Sequence, residues 1–222
     1  METLNELIEQ FMKSCPFFKI WKKDFIDPTM SKKFLVTFDS LVKSFPALIA
    51  AGAARMTDEE TRTVLAVNLY QECGEGDLHR THYAIYRKFL STAGIDLSDL
   101  PERPFAARWR ADLFGYINDA ESAGAVLGVL AAGEFLAEPA LTSIYSVIYS
   151  HYPEADQEYF TKHLVLETDH VREITTILAR ESKDENGWEN VLSGFKLGLS
   201  AWESYFNHLT EFMTAPSLIE RR

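Results

Sequence analysis

The chain of 222 residues has only two cysteines, Cys15 and Cys73, and their separation matches neither a zinc-binding nor a redox pair, so free thiols are expected. Basic residues are also scarce. Against 33 Asp and Glu stand 22 Lys and Arg, a net charge of −11 with no basic tract, which argues against nucleic acid or an anionic membrane surface as a partner. No charged stretch leads into a short hydrophobic run at the start, and no uninterrupted apolar run has spanning length. The expectation is a soluble, cytoplasmic protein that does not enter a membrane. Strand-like alternation and internal repeats are missing as well, which leaves an all-α chain. What is present is apolar material, 46% of residues, enough for one continuous core in a single domain over residues 1–222.

The helical periodicity is strong. Residues 2–13 form a short amphipathic helix with Leu4, Leu7, Ile8 and Phe11 on one side, limited by Pro16. Residues 30–54 carry Phe34, Phe38, Leu41, Val42, Phe45, Leu48 and Ile49 on one face, with a kink expected at Pro46. Thr57 with Glu60 reads as a capping box for a helix that runs to Glu72. Gly74 and Gly76 end it and let the chain turn into a helix expected from near Asp77 to Thr92, which places His82 one turn in. Residues 105–137 read as one helix or two, rich in small residues around Gly124, Gly128 and Gly133, with Pro139 opening the next. Helices over 154–182 and 188–212 complete a bundle of seven to nine.

Within the 154–182 helix lies His163-Leu-Val-Leu-Glu167-Thr-Asp-His170. At ~100° per residue, His163, Glu167 and His170 share an arc of roughly 60°. Tyr159, Phe160, Leu164, Ile174 and Ile177 lie around the same direction, so two imidazoles and a carboxylate sit in the stripe that should be buried. Buried carboxylates need a partner or a metal. Glu134 likewise shares a side with Tyr116, Ala123, Leu127, Leu130 and Leu141. Glu72 closes one helix and a histidine opens the next; spacing alone leaves His79 and His82 both open for that role. Three inward carboxylates without cations would repel one another and raise their own pKa values, and no inward Lys or Arg presents itself. Glu and His on facing helices are the recipe for a carboxylate-bridged di-iron or di-manganese site. Zinc takes four ligands, so six oversupply it, and imidazole with carboxylate suits iron.

The pattern Glu72-x-Gly-x-Gly-x5-His82, then Glu134 in a small-residue helix, then His163-x3-Glu167-x2-His170, resembles the haem-oxygenase-like di-iron oxidases and oxygenases, whose fold is shared by thiaminase-type and pyrroloquinoline-quinone-synthase-type proteins. Lys43-Ser-Phe45-Pro46, Asn68-Leu69 and His82-Tyr-Ala-Ile-Tyr86-Arg-Lys-Phe89 resemble neighbouring signature positions, and the group's spacing favours His82 over His79. The resemblance implies a haem-oxygenase-like bundle with metal ligands Glu72, His82, Glu134, His163, Glu167 and His170. It implies two Fe(II) ions, iron before manganese, with O2 as co-substrate. The implied activity is oxidation or oxygenation of a small molecule: C–C or C–N cleavage, desaturation or N-oxidation. An amino acid or other small carboxylate is the favoured class, and Arg55, Arg108 and Lys196 are candidates to meet its charge.

Two departures stand out. Some members have a further ligand on the early helix, where this chain has Leu41; Asp39 is the nearest carboxylate but lies off the inward face. Members that make aminobenzoate from their own tyrosine carry it in an early stretch like Phe17-Phe18-Lys-Ile-Trp21, and Phe18 takes that position here. Two other readings remain. A metal-free thiaminase-type enzyme needs a cavity nucleophile such as Cys73 or Cys15, and a non-catalytic interaction protein needs only a partner surface. The fold is compatible with a homodimer, for which no residue speaks.

Overall fold

The computed structural model describes residues 2–22, 24–97, 102–183 and 185–215, with side chains throughout except at residues 2 and 166–169. These residues form nine α-helices: α1 (Glu2–Ser14), α2 (Pro16–Ile20), α3 (Pro28–Arg55), α4 (Glu59–Glu72), α5 (His82–Thr92), α6 (Pro104–Asp119), α7 (Ala123–His151), α8 (Glu158–Glu181) and α9 (Glu185–Thr214). One 3-10 turn over Gly74–Gly76 joins α4 to α5, and no strand occurs among the described residues.

Side chains that accept from the first backbone donors set the starts of α3, α4, α5 and α7. Asp27 accepts from the Met30 amide at 2.8 Å ahead of Pro28, which takes the first helical position of α3. Thr81 accepts from Ala84 at 3.0 Å and Ser122 from Ala125 at 3.1 Å, starting α5 and α7. For α4 the cap is Asp58, accepting from Thr61, rather than the expected Thr57; of two adjacent cap formers the carboxylate takes the place. Residues 105–137 divide into α6 and α7 because Ser122 caps anew. Pro139 opens no helix. It sits inside α7, and Pro46 inside α3, each removing one backbone donor within a helix that its neighbours hold in place.

α7 is the axis of the bundle. It packs most extensively on α9, then on α8, α3, α6 and α1. The small-residue stripe is the reason for the first of these contacts. A Cβ on Gly128 would lie 2.1 Å from the Val191 carbonyl oxygen, and one on Gly194 2.0 Å from that of Ala125, so the two helices meet backbone to backbone. α7 and α3 are both long and apolar enough to cross a bilayer, but 78% of the apolar window of α7 is buried inside the bundle. Fully buried Phe17, Phe34, Tyr86, Phe89, Phe160 and Phe195 fill one core around it. Glu72, His82, Glu134, His163 and His170 are buried on the inner faces of α4, α5, α7 and α8.

Candidate metal centre

The chain between α4 and α5 brings Glu72 and His82 together. Gly74 (φ 74°), Glu75 (φ 57°) and Gly76 (φ 92°) all adopt left-handed backbone, and a Cβ on Gly74 would lie 2.5 Å from the Thr81 amide nitrogen. The turn thus folds the cap of α5 directly onto the end of α4. Asp77 does not start a helix: its carboxylate accepts from the His79 amide at 2.9 Å in a local turn, and α5 begins only at His82. His82 is therefore the first residue of α5, not one turn in. His79 is left exposed on the loop.

Glu72, His82 and His163 each offer a ligand atom within 4.8 Å of the others'. His82 Nδ1 is 2.8 Å from Glu72 Oε2, close but not aligned as a hydrogen bond, and neither ring nitrogen of His82 has a hydrogen-bond partner among the described residues. The His82 and His163 rings meet edge to face with centroids 4.4 Å apart. His163 directs Nδ1 to the Tyr159 carbonyl at 2.6 Å, which fixes the ring and leaves Nε2 to the centre.

A second cluster lies alongside. His170 Nδ1 is 3.6 Å from Glu134 Oε2, and the Asn68 amide donates to Glu134 Oε1 at 3.1 Å. The other nitrogen of His170 lies 3.1 Å from Gln71 Oε1. All five residues, Glu72, His82, Glu134, His163 and His170, are at most 6% exposed. Glu167 falls among the residues whose side chains the structure does not describe. Asn68 stands in the sequence only as a neighbouring signature position and Gln71 not at all, since neutral amides leave no charge to account for. Glu173, one turn after His170, was missed too; its Oε2 is buried and its charge acts on Glu134.

The electrostatics are those of a site built around positive charge. Burial would raise Glu72, yet the contact with His82 and the nearby imidazoles of His82, His163 and His170 outweigh it and hold the carboxyl below its usual range. Glu134 goes the other way: burial first, then the charge of Glu72, push it up to about 8, with the Asn68 amide opposing. Burial, then the charge of His82, push His163 down to about 4. Among the described residues neither Glu72 nor Glu134 has a Lys or Arg partner. Deeply buried carboxylates beside His82, whose two ring nitrogens have no hydrogen-bond partner among the described residues, suit a divalent metal, which would neutralise the carboxylates and take up a lone pair.

An apolar cavity of about 70 Å³ adjoins Glu72, His82 and His163. Phe38, Leu41, Phe45, Leu136, Ala140 and Trp202 supply much of its wall, and Tyr159 is its other polar side chain. Leu41 thus lines the cavity beside the centre without a ligand to offer. Asp39 faces the opposite side of α3, where it meets Tyr83 Oη at 3.4 Å and Arg87 Nη1 at 3.5 Å. Arg55, Arg108 and Lys196 are exposed and take no part in the cavity wall. Cys73 is exposed and Cys15 is buried away from the cavity, with burial pushing its thiol up.

Residues 32–203 match the model of a family described as iron-containing redox enzyme. The chain belongs to that family. The iron-containing redox enzyme match spans the described centre, from α3 to the middle of α9. Over 193 residues the chain is 21% identical to 4-aminobenzoate synthase of Chlamydia muridarum, covering 84% of this chain and 80% of that protein. Among solved structures it is similar to a CADD-like protein of unknown function from Nostoc punctiforme PCC 73102, with TM-score 0.82, 15% identity and 96% of each chain covered. A domain with a heme oxygenase-like fold from Shewanella denitrificans OS217 superimposes with TM-score 0.77 at 12% identity, covering 97% of this chain and 94% of that one. The all-α bundle is of the haem-oxygenase-like class.

Proposed function

We propose that this chain is a non-haem di-iron enzyme that uses O2 to oxidise a small substrate whose body is apolar. The observation that carries this reading is the pair of adjacent buried clusters, Glu72–His82–His163 and Glu134–His170, in a chain of the iron-containing redox enzyme family. Glu72, His82 and His163 would hold one ion and Glu134 with His170 the other. Ferrous iron at such a site supplies electrons and open coordination positions for dioxygen.

The protein's own part is to shape what lies beside the ligands. The cavity wall from α3, α7 and α9 excludes water and takes an aliphatic or aromatic group. Any polar end of the substrate finds its partners at Glu72, His82, His163 and Tyr159, because no Lys or Arg lines the cavity among the described residues. A small carboxylate is compatible with this only if its charge is met at the metal centre itself. The activity named for that relative, 4-aminobenzoate synthase, is not carried over to this chain: on the resemblance, Phe18 takes the place of a self-consumed tyrosine, and it is buried against Phe11, Phe17 and Phe206 and has no hydroxyl.

The test is ferrous loading without air, followed by oxygen uptake in the presence of a panel of small apolar carboxylic and amino acids. Two irons per chain are expected, with Glu72→Ala and Glu134→Ala each losing at least one, and uptake stimulated by a panel member. Wild-type protein that takes up no iron, or no oxygen with any compound, would overturn the proposal.

A further inference from the structure

We infer that the cavity beside the candidate centre opens to solvent between Phe45 of α3 and Ala137 of α7, and that the Phe45 ring is the gate that sets how wide a substrate can be. That the entering molecule is a substrate rests on the di-iron reading above; the opening itself does not.

Burial marks the mouth. The residues that line the cavity are all buried except Phe45 and Ala137, which are partly exposed. These two belong to different helices, and Gly133 brings them to one place. A Cβ on Gly133 would lie 3.2 Å from Cε2 of Phe45 and 3.4 Å from Cζ, so the edge of that ring rests on bare main chain. Ala137 is one turn further along α7, on the same face.

The course of the two helices agrees. α3 and α7 are wedged together at Gly52, where a Cβ would fall 2.4 Å from Leu130 Cδ1. Moving back along α3 from there means moving forward along α7, because Phe45 then meets Gly133. About two turns from the wedge stand Phe45 on one helix and Ala137 on the other. Ala137 offers only a methyl group, so the phenyl ring is what closes the gap. Pro46 has no N–H to give to the Val42 carbonyl, and the turn that carries Phe45 is one hydrogen bond short. Behind the ring the cavity runs to Glu72, His82 and His163. His82 is buried there with both ring nitrogens unpartnered among the described residues, so the passage ends at groups that still need a ligand. An opening covered by one phenyl ring admits a flat ring or an unbranched chain and stops a branched group.

The test uses xenon as a probe on the full chain without metal, since a dry apolar cavity takes up xenon. Saturation-transfer NMR of xenon reads occupancy and rate of entry separately. Entry should be about tenfold faster in Phe45→Ala and about tenfold slower in Ala137→Phe, which fills the mouth from the other helix. Ile144→Ala, which widens the wall away from the mouth, should change occupancy and leave entry as it is. A wild-type rate of entry in Phe45→Ala or in Ala137→Phe, or no xenon bound by the wild type, would overturn the inference. In the oxygen-uptake assay, Phe45→Ala should raise kcat/KM for branched acids about tenfold relative to unbranched ones, and an unchanged ratio would also overturn it. Absence of any uptake by the wild type counts against the di-iron reading instead, and the xenon rates still decide where the cavity opens.

Discussion

Glu134 is where the metal-free protein differs most from an ordinary carboxyl. With its pKa near 8 it carries a proton at pH 7, whereas the same group in an unfolded chain, near 4.5, has lost it. A carboxyl raised on folding favours the fold below pH 4.5, and that contribution is lost as the pH rises through 8. His163 has the opposite sense: lowered from 6.5 to about 4, it removes stability as the pH falls through that interval. Metal-free Glu134→Gln is therefore expected to unfold at higher urea than the wild type at pH 9, by a few kcal/mol, and the difference should shrink towards pH 5. Urea titrations at the two pH values check it. A cation at Glu134 must also displace the proton, so binding at pH 7 should release about one proton from the wild type that Glu134→Gln does not release. Calorimetry in buffers of different ionisation enthalpy measures that difference.

Among the elements, the turn between α4 and α5 matters most for the site. The Cβ of an alanine at position 74 would meet main-chain atoms of Arg80 and Thr81 at 2.5–2.9 Å, in a conformation alanine rarely adopts. Gly74→Ala should part the end of α4 from the start of α5, weakening metal binding at Glu72 and His82 at least tenfold while helix content by circular dichroism stays the same. This turn also shows how far the sequence could be read. The paired glycines announced that α4 ends and the chain reverses, and the apolar stripe of α5 after His82 was plain. The start of α5 was placed too early because Asp77 is a good cap former, and only the folded turn shows its carboxylate already engaged with the His79 amide. Pro139 misled for a related reason: a proline looks like a first residue, but packing on α8 and α9 carries α7 through it. Charged ligands were legible because a buried Glu or His on an apolar stripe demands an explanation. Asn68 and Gln71 make no such demand, and their roles depend on which side chains arrive from α7 and α8.

Across the whole molecule, the candidate ligands come from two pairs of successive helices, α4 with α5 and α7 with α8, so a bound ion would tie the two pairs together. Metal at a hundred times its dissociation constant should add about 2.7 kcal/mol to the stability of the chain, and a chelator should remove it. Thermal unfolding with and without added Mn(II), in wild type and in a His163→Ala variant, checks the expectation. The seam between α7 and α9 is fixed in a different way. Gly194→Ala forces a methyl onto the main chain at Ala125 and should cost about 1–3 kcal/mol, read as a lower melting temperature, with no direct effect on the ligands. Because those two helices touch main chain to main chain, they act as a single plank that can neither roll nor slip. The chamber beside the candidate centre leans on that plank from one side and on the rings of Phe38 and Phe45 from the other. Of the two sides, only the one built of rings can make room for an incoming molecule by side-chain rotation alone, without parting main chain from main chain.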